Sequence, residues 1–184
     1  GNSAAGGNGG ASVFDLPNGG GGAGYGGAIF SDGGQGGGYS TSMTNVTVSG
    51  NSASTNGGGL YVIDDNTDGL FTTITANTAG VDGGGIFLSG YSPALYLSNS
   101  ILAGNSDGGD DNPDCYRDAA SAYMSLDYNL IGDSAGCPEF SFEGNTTVNS
   151  ATPGLSPLAD NGGPTQTHAL LASSPALNAG DPGY

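Results

Sequence analysis

The sequence predicts an all-β chain wound as a β-solenoid, and three observations predict it. A Gly-Asn-Ser signature recurs, with Asn51, Asn77 and Asn105 spaced 26 and 28 residues apart. Glycine triples at 57 and 83, also 26 apart, each precede a short apolar burst: Leu60-Tyr61-Val62 and Ile86-Phe87-Leu88. The segments between these marks are rich in Val, Ile, Leu, Tyr and Thr and are broken by Gly and Asn. A fixed period in this range signals stacked supersecondary units. Short β-forming segments exclude helical repeats and leave a solenoid of strands.

Taken in order, Gly1-Asn2-Ser3-Ala4 repeats Gly50-Asn51-Ser52-Ala53, so the chain opens inside a repeat. Residues 18–27 read as a glycine-rich excursion, compatible with disorder. Ala28-Ile29-Phe30 then matches the later apolar bursts. Met43–Asn51, Leu70–Asn77 and Leu95–Asn105 are β-rich segments that end in the asparagine turn, and 125–134 is another, with Asp133 in the asparagine place. Residues 107–122 read as an acidic loop. Coils are expected over residues 1–150, about five to six of them, repeating at ~4.8 Å to give a rod of roughly 25–30 Å. Residues 151–184 read as an irregular Pro/Gly-rich tail packing on the last coil.

The corners have a mechanical reading. Glycine supplies φ > 0 and close backbone approach. Asn51, Asn77 and Asn105 should stack as a ladder, because asparagine tolerates the left-handed conformation and its amide bonds to neighbouring backbone.

Charge excludes several functions. Seventeen acidic residues face one basic residue, Arg117, for a net charge of −16. Such a chain lacks the phosphate-neutralising groups that nucleic-acid binding requires, and anionic membranes repel it. With no lysine, Schiff-base, lysine–asparagine cross-link and P-loop chemistry are excluded. No apolar run is long enough to span a membrane. The acidity reads first as solubility of an exposed surface and second as divalent-cation binding.

Cys115 and Cys137 lie 22 residues apart, neither in a CxxC nor beside a histidine. A disulfide is the expected use, worth about 3 kcal/mol in the chain-entropy model, and it implies an oxidising compartment. Two buried free thiols are the alternative.

Two blocks carry a resemblance. One is Asp127-Tyr128-Asn129-Leu130-Ile131-Gly132-Asp133 followed by Cys137. The other runs from Pro153-Gly154-Leu155-Ser156-Pro157 through Asp160-Asn161-Gly162-Gly163-Pro164-Thr165-Gln166-Thr167-His168 to Gly180-Asp181. Together they resemble the C-terminal half of bacterial choice-of-anchor Q proteins. The resemblance implies a right-handed parallel β-helix, related in fold to pectate lyases and outer-membrane adhesins, and an extracellular or cell-surface bacterial setting. It implies no activity. Family members continue through an Asp-Gln-Arg-Gly stretch that this chain lacks, so a fragment or processed form is expected.

No catalytic residue is assigned. His168, the only histidine, falls in the tail block and reads as structural, and no serine sits in a nucleophile elbow. A lyase would need a base, for which Arg117 is the only basic side chain; a hydrolase would need carboxylate pairs, and none recurs on adjacent coils. Asp64-Asp65-Asn66-Thr67-Asp68-Gly69 matches the first half of a calcium loop, making Asp64, Asn66 and Asp68 candidate calcium ligands, although Thr75 stands where the closing Glu belongs. A solvated acidic turn is the alternative. Asp107, Asp110, Asp111 and Asp114 form a second acidic cluster. Asn45 and Asn145 begin glycosylation sequons. Thr72, Thr73 and Thr75 make only a weak ice-binding pattern. The expectation is a non-catalytic scaffold, adhesive or fibre-forming by head-to-tail self-association, because an open coil exposes strand edges. The alternative is a polysaccharide-binding or polysaccharide-cleaving solenoid that meets extracellular glycans.

Overall fold

The structure, a computed structural model, describes residues 3–4, 24–34, 40–109, 111, 113–118, 123–137, 141–142 and 152–184. Of 3–4, 123–126 and 141–142 only the backbone is described. Asn145, Asp110 and residues 18–23 of the glycine-rich run lie outside these.

The chain winds through strands in repeating order. The first cycle is β1 (Ser3–Ala4), β2 (Ile29–Asp32), β3 (Ser40–Thr44) and β4 (Thr47–Ser49). The second is β5 (Ser52–Ala53), β6 (Leu60–Ile63), β7 (Asn66–Leu70) and β8 (Thr73–Thr75). The third is β9 (Thr78–Ala79), β10 (Ile86–Ser89), β11 (Ala94–Ser98) and β12 (Ile101–Leu102). Then follow β13 (Cys115–Arg117), β14 (Tyr123–Asp127), β15 (Leu130–Ile131) and β16 (Ser141–Phe142). Each strand pairs in parallel with its counterpart one cycle away, giving four sheets: β1-β5-β9, β2-β6-β10-β13, β3-β7-β11-β14-β16 and β4-β8-β12-β15. The result is an all-β parallel solenoid of about three turns.

Period-2 alternation decides what faces inward. In the second sheet Leu60 lies between Ile29 and Ile86, and Cys115 follows Ile86. In the fourth, Val48, Ile74, Leu102 and Ile131 form one column. Leu60, Ile74, Ile86, Leu88, Leu95, Leu102 and Ile131 are fully buried, each contributing about 1.5–3 kcal/mol of apolar burial. This thin column carries the core, so a chain only 35% hydrophobic still folds.

The glycine triples turn the corner between the first and second sheets. Gly57 and Gly83 take φ of +70° and +64°. A Cβ on the next residue, Gly58, would sit 2.4 Å from the Thr78 carbonyl carbon.

Three expectations need correction. Residues 24–27 are not an excursion: Gly26 and Gly27 donate to the carbonyls of Asn56 and Gly57 at 3.1 and 2.9 Å, stacking one coil on the next. Residues 107–122 are not simply a loop, because Cys115-Tyr116-Arg117 continues the register of Ile86-Phe87-Leu88. Its apolar alternation was hidden by flanking acidic residues, and Arg117 thus lies on a coil rather than off it. The tail also reaches well beyond the last coil. It folds back on itself through the antiparallel bridges Leu155–Leu170 and Ala159–Thr167 and lies along the solenoid flank, touching Ser49, Phe71, Asn99 and Gly104.

Candidate functional site

Two corners of the solenoid carry its distinctive chemistry. The first joins the fourth sheet to the first. There Gly50, Ala76 and Gly104 adopt positive φ, and each is followed by a buried asparagine. Asn51 donates its backbone N–H and Nδ2 to Asn77 Oδ1 at 3.1 and 2.9 Å. Asn77 repeats both bonds to Asn105 Oδ1 at 3.0 and 2.9 Å. The remaining Nδ2 protons reach the carbonyls of Val48 and Ile74. Every amide is used, as buried polar groups require.

The ladder ends on a carboxylate. Asp114 Oδ1 accepts from Asn105 N–H and Nδ2 at 3.0 and 2.8 Å, and Oδ2 accepts from Asp133 N–H at 2.7 Å. Asp133 therefore supplies a backbone donor, while Asp114 takes the terminal rung. An asparagine there would have pointed a donor at a donor. Burial pushes the Asp114 carboxyl above its ordinary 3.8, against the hydrogen bonds from Asn105 and Asp133 that pull it down. The adjacent residue, Cys115, is bonded to Cys137, and both are fully buried. The disulfide thus pins the strand that ends the ladder.

The second corner joins the third sheet to the fourth. Four equivalent residues, Asn45, Phe71, Asn99 and Tyr128, take φ of 55°, 52°, 50° and 53°. A polar column again follows: Thr72 N–H donates to Ser100 Oγ at 3.0 Å, Ser100 N–H to Asn129 Oδ1 at 2.8 Å, and Asn129 Nδ2 to Leu97 O at 2.8 Å. Asparagine suits the left-handed region. Phenylalanine and tyrosine do not, and each costs on the order of 1–3 kcal/mol there. Phe71 and Tyr128 both line a cleft of about 370 Å³ between the flank and the tail, together with Asn99, Ile101, Leu170, Pro175, Asp181 and Tyr184. Tyr184 meets Phe71 edge-on, with ring centroids 5.3 Å apart. Asp181 donates its N–H to Asn99 Oδ1 at 2.7 Å, holding the tail over the corner.

A single imidazole fastens the tail further along. His168 Nδ1 lies 2.7 Å from the Ser156 carbonyl and Nε2 lies 2.8 Å from Ser49 Oγ. A carbonyl only accepts, so Nδ1 donates to Ser156, and Nε2 shares a second hydrogen bond with the Ser49 hydroxyl. His168 is a staple.

An aromatic row on the outer side of the second sheet went unread in the sequence. Phe30, Tyr61 and Phe87 stack at 5.4 and 5.1 Å with planes within 7° of parallel, and Tyr116 continues at 5.2 Å. Each pair adds about 0.5–1.5 kcal/mol. Tyr61 and Phe87 are only 8% and 3% exposed, so their ring faces serve one another and not a ligand.

The candidate calcium ligands fall differently from a calcium loop. Asn66 and Asp68 lie on strand β7, where alternate side chains stand roughly 6.6 Å apart along an extended backbone. Both are exposed. Asp64 occupies the preceding turn, and its Oδ1 accepts from Tyr91 N–H. The intervening Asp65 is buried and accepts from Ser31 Oγ, Thr41 Oγ1 and Asn66 N–H. Among the described residues no group of three or more His, Cys, Asp or Glu side chains could hold a metal ion. Asn45 is exposed at its turn, sterically open to modification.

No family model, no curated protein and no solved structure matches this chain. Its class is therefore defined by geometry alone, as a parallel β-solenoid with one disulfide. Among the described residues no helix is long and apolar enough to cross a membrane.

Proposed function

We propose that the protein is a non-catalytic extracellular scaffold of bacterial origin, wound right-handed in five to six coils, that self-associates head to tail at a surface or in a fibre. One observation carries this reading. All four sheets are parallel and each gains one strand in every one of the first three cycles, so the first cycle contributes the outermost described strand of every sheet. Strand rows of this kind are templates for pairing with a second copy. The disulfide supports an oxidising compartment, and the 127–133 and 153–181 blocks support a surface-anchored setting. A net charge of −16 opposes association until salt screens it. Sedimentation velocity over a salt and concentration series tests the proposal: species much larger than 17.8 kDa should grow as salt rises. A single monomeric boundary throughout would overturn it.

A second reading, glycan binding, is favoured by the outer face of the third sheet. Asp68 and Tyr96 are exposed register neighbours there, an acceptor beside a ring. Asp68→Asn and Tyr96→Ala should each abolish any glycan binding. Binding that survives both changes rejects this face.

A further inference from the structure

The corner between the third and fourth sheets is built four times on one backbone conformation, with Asn45, Phe71, Asn99 and Tyr128 in the same place. Asparagine shows what the backbone prefers. The two aromatic residues meet no such preference, and both line one cleft, so the strain they carry points to a demand other than folding. That cleft holds three rings, Phe71, Tyr128 and Tyr184, two of which meet at 87° like adjoining walls. Asp181 lines it too, its N–H on Asn99 Oδ1 at 2.7 Å. Asp181 Oδ1 accepts from Gly183 N–H at 2.8 Å, while its Oδ2 makes no hydrogen bond among the described residues.

Aromatic rings and an acidic residue lining one cleft offer the chemistry that receives an organic cation. The negative face of an aromatic ring attracts ammonium groups, most strongly where water is displaced. The cleft, at about 370 Å³, is the size of a small-ligand site. A chain carrying −16 also concentrates cations and repels anions around it. We propose that this cleft binds a small organic cation of the quaternary or tertiary ammonium class, its alkyl shell against Phe71, Tyr128 and Tyr184 and its charge facing Asp181. The site is separate from the strand ends used for self-association and does not depend on them.

The test uses the full chain with its disulfide formed. Choline is titrated by calorimetry and by ligand-observed NMR, beside 3,3-dimethylbutanol, its uncharged carbon analogue, and methyl glucoside. Choline should bind and the two neutral probes should not. Phe71→Asn and Tyr128→Asn each install the residue that the same corner carries elsewhere. Either should weaken choline binding roughly tenfold while raising Tm by roughly 2–4 °C. Asp181→Asn should weaken binding without the rise in Tm. Tyr91→Ala, at an exposed turn on another corner, should change neither. Equal binding of the neutral alcohol or the glucoside, no binding of choline, or a fall in Tm in both asparagine variants would overturn the assignment. The probe comparison on the unmodified chain decides the question even if a variant does not fold.

Discussion

The corner from the fourth sheet to the first and the corner from the third to the fourth solve one problem with different residues. At each, a left-handed residue turns the chain and a buried polar side chain follows to tie one coil to the next. The first corner turns on Gly50, Ala76 and Gly104 and ties with Asn51, Asn77 and Asn105. Nothing there is strained beyond what small residues tolerate, and its ladder is buried. The second corner turns partly on Phe71 and Tyr128, which the left-handed region disfavours. Its strained residues point into a cleft. The difference separates a corner optimised for stacking from one that gives up stability for a surface feature.

Breaking the first corner should have the largest effect. Asn77→Ala removes a side chain that accepts twice from Asn51 and donates to Val48 O and Asn105 Oδ1. It leaves buried donors and acceptors without partners, at about 3–5 kcal/mol in total. Denaturant unfolding should show that loss, whereas the exposed Ala76→Gly change beside it should be nearly neutral. Opening the disulfide comes next. Cys115→Ser with Cys137→Ser frees the strand that places Asp114 and should lower stability by about 3 kcal/mol. Equal midpoints for the oxidised and serine forms would show that the ladder end is held by packing alone.

Asp114 gives the finest test. Its native pKa lies above 3.8, so the native chain binds this proton more tightly than the unfolded chain does. The stabilisation is full below pH 3.8 and is lost as pH rises through the native value. Asp114→Asn should flatten that part of the pH profile and cost about 1 kcal/mol, because its amide would face the Asp133 N–H donor to donor. Unfolding free energies measured from about pH 3 to 7 check both parts. An unchanged slope would mean that another group carries the dependence.

The two corners were unequally legible for physical reasons. The asparagine ladder stood out because its turn context repeats, and its amide bonding is as expected. The left-handed conformation expected of the asparagines falls instead on the residue before each, Gly50, Ala76 and Gly104. The ladder's terminus did not stand out, since Asp114 arrives from a non-repeating segment and displaces Asp133 from the place that spacing suggested. The second corner was invisible because Phe71 and Tyr128 contradict the rule by which left-handed turns are found. Asp64, Asn66 and Asp68 have the oxygens of a loop, whereas buried Thr67 and Gly69, alternating with exposed Asn66 and Asp68, mark a strand. Tyr61 and Phe87 stand second in their bursts, but Phe30 stands third in Ala28-Ile29-Phe30. A one-residue shift of that burst, with Ile29 opposite Leu60, is what brings Phe30 into the aromatic row. Tyr116 escaped because acidic residues surround it.

We propose that these ladders belong to a scaffold that extends by adding copies end to end. Electron microscopy of the full, disulfide-bonded chain at rising concentration and salt tests it most directly. The account predicts rods with an axial repeat of one molecule and strand layers at ~4.8 Å along the axis. Isolated particles of single-chain size under every condition would contradict it.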